Sequence, residues 1–330
     1  MVTRAPTKPG EEFAVESRAY RRELLAHCYR MVGSAHDAED LVQETYLRAF
    51  RSYETFEGKA SVRSWLYAIA TNVCLTALGS RQMRVLPSGL AGPYEGPGRS
   101  ASPVPPGEVS WLEPLPDAWS DATPDDPGTI AIARESLRLA LIASLQFLPA
   151  RQRAVFLLRE VLAFSAEEAA EILGTTVAAI KSGLQRARAR LDEVTPAREA
   201  LLEPTDPRAV ELLDGYIAAF ERADASLLID VLRSDAALEA TPFRDWVVGR
   251  AKCIHLLETY VLGSPGDWRL IATRANGQPA AVLYRRDAAH LFRGYGVVVL
   301  APTVMGVCRV IAFHEPALVR LFGFQDTLEA

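Results

Sequence analysis

Between Val177 and Leu191 the chain carries Lys181, Ser182, Gln185, Arg186, Arg188 and Arg190, with no acidic residue among them. Val177, Ile180, Leu184, Ala187 and Leu191 recur at helical spacing, so the basic and amide groups share the opposite face. A face of this kind can bond phosphate oxygens and base edges. Thr175 or Thr176 can cap the helix and set its first turn toward a groove. Just upstream, Ser165-x-x-Glu168 has the form of a capping box, and Gly174 ends the short helix it would open. Two helices joined by so short a Gly-containing turn have the pattern of a helix-turn-helix. A solvated basic helix in a bundle would carry the same residues.

Two further groups could do work. Asp40, Gln43 and Glu44 lie at i, i+3 and i+4 on a predicted helix that opens near Ser34, and together form one polar, acidic face. A merely solvated helix presents such a stripe too. The same helix is predicted to bury Val42, Tyr46, Ala49 and Phe50. The second group is aromatic and basic. Phe56, Gly58 and Lys59 precede a helix that begins near Ser61 and puts Trp65 and Asn72, seven residues apart, on one face; Arg81 and Arg84 follow it. Aromatic rings interleaved with cations suit unstacked bases and their phosphates. Phe56 and Trp65 are equally suited to a core.

The elements that must position these groups fall into blocks. A helical block spans about residues 11–84, and a second one 131–194 with an amphipathic helix through Leu137, Leu141, Leu145 and Leu148. Between them, residues 85–130 hold 10 of the 21 prolines and seven acidic residues against the single Arg99, which predicts an extended linker with little buried area. Trp111, Leu112, Leu115 and Trp119 stand out within it as groups that dock on something, either a partner or this chain's own domains. A Pro-containing hinge from Thr195 to Pro207 leads to a C-terminal block, 207–330. There, helices come first and a run of antiparallel strands follows, which predicts an α+β domain with a curved sheet on helices.

At 330 residues and a net charge of −5, the molecule is multidomain and not basic overall, so nucleic-acid binding must come from local patches. Cys28, Cys74, Cys253 and Cys308 are far apart with no CxxC pair, so neither a metal site nor a disulfide scaffold is expected. No apolar run reaches the ~18 residues of a membrane span, and no apolar segment follows the basic N-terminus, so a cytoplasmic protein without membrane contact is expected. In the C-terminal block, Glu239, Asp245, His255, Arg274, Asn276, His290 and His314 could serve acid–base chemistry, but their spacing singles out no pair, and no catalytic residue or cofactor is assigned. Trp246 and Tyr260 are expected as wall or core groups.

DAEDLVQETYLRAF (37–50), FEGKASVRSWLYAIATNVCL (56–75) and LPARQRAVFLLREVLAFSAEEAAEILGTTVAAIKSGLQRARARL (148–191) resemble regions 2 and 4 of the extracytoplasmic-function sigma factors of the sigma-70 family. RANGQPAAVLYRR (274–286) and AFHEPALVRLFGF (312–324) resemble the subgroup with a C-terminal SnoaL-like domain, of the mycobacterial sigma-G type. The resemblance implies two all-α domains, region 2 (11–84) and region 4 (131–194), and a SnoaL-like cone (207–330). It implies a promoter-specificity subunit, not an enzyme, whose partners are core RNA polymerase, through its β′ clamp and β subunit, and promoter DNA. Asp40, Gln43 and Glu44 would dock on the clamp. Phe56, Lys59, Arg63, Trp65, Asn72, Arg81 and Arg84 would hold the −10 element. Thr176, Lys181, Ser182, Gln185, Arg186 and Arg188 would read the −35 element. The acidic linker would thread the polymerase cleft, and the cone would modulate activity in cis, with room for an unknown small-molecule ligand. An isomerase- or cyclase-type enzyme fused to a DNA-binding module, or a simple helix-turn-helix repressor, are the other readings; a repressor needs no clamp-docking helix. One departure from the family pattern is Ala163-Phe164, where a Gly-containing turn is usual before Ser165.

Overall fold

The computed structural model describes residues 17–56, 58, 61–79, 82–96, 102–120, 135–194 and 200–329. The chain divides into two compact units, Met1–Met83 with Ala118–Thr195, and Arg84–Asp117 with Pro196–Ala330.

The first unit is helical. In region 2, α1 (Arg21–Val32), α2 (Ala35–Ser52) and α3 (Val62–Leu78) pack together. Gly33, at φ 71°, ends α1 in the left-handed conformation that favours glycine and sends its N–H back to Tyr29 O. Ser34 then caps α2 by accepting from Asp37 N at 3.1 Å, and Ser61 caps α3 by accepting from Ser64 N at 3.0 Å. The buried stripe of α2 is Ala35, Ala38, Leu41, Val42, Thr45 and Ala49. Phe50, expected in that stripe, is 56% exposed, because it falls one position round the helix from Ala49 and clear of α1 and α3.

Region 4 comprises α4 (Leu139–Gln146), α5 (Ala150–Phe156) running into a π-turn at Leu157–Val161, α6 (Ala166–Ile172) and α7 (Val177–Val194). Both halves of the capping box at Ser165 and Glu168 are formed, at 3.0 and 2.7 Å. Ala163 takes a left-handed φ of 55° in the turn before it.

The second unit is a mixed α+β cone. Helices α8 (Pro207–Glu221), α9 (Leu228–Val231) and α10 (Arg250–Tyr260) pack on a sheet of β1 (Leu232–Thr241), β2 (Trp246–Val248), β3 (Trp268–Ala275), β4 (Gln278–Arg286), β5 (Phe292–Thr303) and β6 (Gly306–Phe313). After β6 come α11 (Pro316–Leu321) and the short β7 (Thr327–Leu328). The sheet order is β2-β1-β6-β5-β4-β3, with β7 on β5. The expected run of antiparallel strands is corrected at one pairing, since β1 and β6 run parallel. The intervening β2 to β5 segment is long enough to bring the chain back to β1 in the same direction. Leu212, Tyr216, Phe220, Leu238, Trp268, Leu283, Val298 and Val310 lie in the core between helices and sheet.

The expected free linker is also corrected. Val85, Leu86, Val104, Leu112 and Leu115 are buried, and the stretch from Arg84 to Asp117 is part of the cone's own body. The Asn276-Gly277 turn between β3 and β4 takes hold of it: Leu115 N donates to Asn276 Oδ1 at 2.8 Å, Asn276 N to Leu115 O at 3.0 Å, and Gly277 N to Asp117 Oδ1 at 2.8 Å. Further back, Tyr94 N donates to Trp246 O at 2.7 Å, the Trp246 indole to Ala91 O at 2.8 Å, and Val104 N to Pro242 O at 2.8 Å. Composition underestimated the segment because many of its bonds to the cone are made by its backbone groups, which any residue type supplies.

Candidate nucleic-acid interface

Helix α7 presents Lys181, Ser182, Gln185, Arg186 and Arg188 on its outer side, all exposed, while Ile180, Gly183, Ala187 and Leu191 face inward. Thr176 is exposed at its start, and its hydroxyl accepts from Ala179 N at 3.2 Å. Thr176 is thus the capping residue. Arg186 donates to Ser182 one turn back, and Arg188 pairs with Glu160 at 2.7 Å. Such exposed pairs are weak and give way readily to a phosphate. The structure brings all six sequence-predicted residues of this set onto one helix and its cap.

In region 2, Phe56 and Trp65 stack with ring centroids 4.7 Å apart, and Tyr53 lies 6.3 Å from Trp65. Both rings of the stacked pair are half-buried, and Asn72 is exposed farther along α3. Tyr53, not anticipated, belongs to this aromatic group; its place next to the loop in sequence was the available signal. Arg63 turns elsewhere. Its guanidinium donates to Glu23 at 3.1 Å and lies 5.0 Å from the Tyr67 ring and 4.9 Å from the Phe164 ring. Two residues from Trp65 on a helix is about 200° of rotation, which takes Arg63 off the aromatic face. Arg84 is also separate. It lies in the cone's unit, donating to Trp111 O at 2.6 Å with Glu113 at 3.8 Å. Lys59 and Arg81 lie outside the described residues.

On α2, Asp40 and Gln43 are exposed and Glu44 is half-buried, forming an i,i+4 pair with Arg48 at 2.6 Å. Leu47, 53% exposed, and Phe50 extend this face. The surface is therefore acidic at one end and apolar at the other, which suits a docking site better than plain solvation does.

The polar residues of the cone do not converge. Glu239 is fully buried, with Arg309 at 2.7 Å and Ser88 N at 3.0 Å, so its carboxylate is held in an ion pair and on the linker. The Arg309 guanidinium also sits 5.9 Å from the Trp246 ring. His314 lies edge-on to Phe243 at 5.8 Å and near Tyr295 at 4.9 Å. His255, Arg274 and His290 are exposed, Asp245 is partly buried, and Asn276 serves the linker. Tyr260, expected in the wall or core, is 48% exposed on α10. Among the described residues no cluster of metal-ligating side chains occurs, and no helix is long and apolar enough to cross a membrane.

An acidic helix beside an aromatic cluster, a helix-turn-helix and a mixed-sheet cone define a modular DNA-binding protein of the transcription machinery. Residues 17–84 match the family Sigma-70 region 2, and residues 138–191 match Sigma-70, region 4. The chain is 49% identical over 319 residues to the ECF RNA polymerase sigma factor SigG of Mycobacterium tuberculosis, across 96% of this chain and 85% of that protein. It is 31% identical over 221 residues to the ECF sigma factor SigJ of the same organism, across 67% of this chain and 62% of that one. The crystal structure of SigJ superposes with a TM-score of 0.60 at 22% identity, over 94% of this chain and all of that one, which shows the shared fold. The chain belongs to the extracytoplasmic-function sigma factors of the sigma-70 family, and its C-terminal mixed-sheet domain shares the fold seen in SigJ. It is a transcription initiation factor that binds core RNA polymerase and promoter DNA.

Proposed function

We propose that the C-terminal cone modulates this sigma factor in cis by holding its linker. The observation that supports this is the linker's attachment, from the Ser88–Glu239 bond to the Leu115–Asn276 pair. A segment folded on the cone cannot at the same time thread the polymerase cleft, so engagement by polymerase has to release it. Each backbone hydrogen bond is worth about 0.5–1.5 kcal/mol, so the hold is strong collectively and reversible piecemeal. In this reading α2 docks on the β′ clamp, region 4 lies by the β subunit, Phe56, Trp65 and Asn72 hold the −10 element, and α7 reads the −35 element, all in the cytoplasm. A small molecule taken up by the cone would act by altering its grip on the linker.

The test is transcription in vitro with core polymerase, comparing the full chain with Asn276→Ala and with a chain ending at about residue 200. Asn276→Ala removes one partner of the Leu115 backbone without touching any DNA-facing residue. A changed transcript yield in both supports the restraint. Identical output from all three proteins removes it.

A further inference from the structure

The linker lies on the cone as an acidic and aromatic strand on a basic and aromatic face. Glu95 pairs with Lys252 of α10, and Glu108 with Arg244 at 2.5 Å. Trp246 of β2, two residues on from Arg244, accepts at its carbonyl from Tyr94 N and donates from its indole to Ala91 O. Tyr94 and Glu95 are neighbours in sequence, so Trp246 and Lys252 are gripped by adjacent linker residues. The Tyr94 side chain packs against the cone's core. Arg309 of β6 places its guanidinium 5.9 Å from the Trp246 ring.

What the linker covers is therefore a run of rings and cations: Phe243, Arg244 and Trp246, flanked by Lys252 and Arg309. Arg244 and Lys252 are exposed, so their ion pairs are surface ones that exchange readily. Nearby acids leave those two charges standing. Asp245 keeps its Oδ2 buried, and Glu239 is fully buried and committed to Arg309 and the Ser88 N–H. With the linker gone, Arg244 and Lys252 lose the carboxylates that balance them. Cations alone would suit an acidic peptide. Half-buried rings set among them suit a nucleic-acid strand, whose bases stack on aromatic faces while its phosphates meet Arg and Lys. Tyr94 beside Glu95 offers the same two elements, a ring and an anion, where a strand has a base and a phosphate.

We infer that this face of the cone is a binding site for single-stranded nucleic acid, and that the linker occupies it as a stand-in while folded on the cone. Arg244 and Lys252 take phosphates and Trp246 takes a base. Strand and linker compete for the same cations, so a bound strand favours the released linker. Exposure of the site in the polymerase complex rests on the linker release proposed above; the chemistry of the site does not.

The experiment uses the full chain, the variant Glu95→Gln with Glu108→Gln, and that variant with Arg244→Ala and Lys252→Ala added. The Gln pair removes the linker's charges and keeps its backbone, and all four positions are exposed, so folding is preserved. Oligouridylate and oligothymidylate carrying a thio-substituted base are photo-crosslinked to each protein, and the attached peptides are identified by mass spectrometry. The Gln variant should raise the crosslink yield within residues 243–252 about three- to tenfold over the parent, the gain from freeing two exposed cations. Adding the two Ala substitutions should return that yield to the parent level and leave crosslinks in region 2 unchanged. The probe that crosslinks more strongly names the strand as RNA or DNA. Unlabelled oligonucleotide should displace the probe better than polyglutamate of equal charge. An absent gain in the Gln variant overturns the inference. Equal displacement by polyglutamate also overturns it and makes the face a site for acidic peptides. The parent chain on core polymerase checks the linker separately: a gain there supports both readings, whereas a gain confined to the Gln variant keeps the site and overturns the release.

Discussion

The two candidate DNA surfaces are built in opposite ways. Region 4 places its whole candidate set on α7 and its cap, exposed on one face and backed by Ile180, Ala187 and Leu191. Region 2 assembles its set from a loop and a helix, around two rings that are half-buried against each other. A surface carried by one helix is complete as soon as the helix forms. A surface made by stacking depends on its neighbours, and two cations assigned to it by sequence, Arg63 and Arg84, have other partners.

That contrast fails or sharpens first at Trp65. Trp65→Ala removes a stacking platform worth about 1–3 kcal/mol per base, so open-complex formation should fall roughly 5- to 150-fold while core binding is retained. Normal permanganate reactivity of the melted promoter would show that the region 2 rings are core groups. Stability should differ between surfaces too. His27, wholly buried beneath region 2 with its Nε2 3.0 Å from Thr71 Oγ1, is lowered to a pKa of about 3 by burial and by the Arg30 charge. Its folded pKa lies below its unfolded value of about 6.5, so the folded state binds fewer protons between those values. Stability is complete above pH 6.5 and is lost on acidification by up to ~1.4 kcal/mol per pH unit. Thermal melts from pH 7 to pH 4.5 should show this slope, and His27→Gln should flatten it.

The helix-borne surface should respond more evenly. Arg188→Ala should weaken promoter binding to a similar degree across −35 sequences and reduce the salt slope by about one. A change confined to one base position would make it a base reader instead. Asp40→Ala with Glu44→Ala should slow association with core polymerase at low salt and lose its effect at high salt; an unaltered on-rate would leave that face merely solvated. The smallest effect belongs to Arg84→Ala, which should leave −10 oligonucleotide affinity unchanged. A measurable drop would return Arg84 to the DNA surface.

The helices, their caps and the α7 face were legible because a helix writes its pattern within a few turns of sequence. Ser34, Ser61 and Ser165 each sit where a cap was expected or close to it. The linker was not, because main-chain bonds such as Tyr94 to Trp246 and Val104 to Pro242 leave no compositional trace. Phe50 was misplaced because one residue of drift on a helix turns a side chain by 100°. Arg63 was read as a DNA cation because spacing shows that it is on α3 but not that Phe164, about 100 residues later, covers it. The parallel β1–β6 pairing was invisible for the same reason, since only tertiary structure brings Leu238 beside Val310.

That pairing has a consequence for how the molecule is made. Strand β6 lies between β1 and β5, so the two parts of the sheet join only when Gly306–Phe313 is present. The linker leaves the ribosome about 200 residues before that, which at ~5–20 residues per second is roughly 10–40 s. During that interval both helical regions can fold, and the linker has no finished surface to settle on. If the cone restrains the protein through the linker, as proposed above, every newly made copy passes through a period without that hold, and a chain whose synthesis stops short of β6 stays in it.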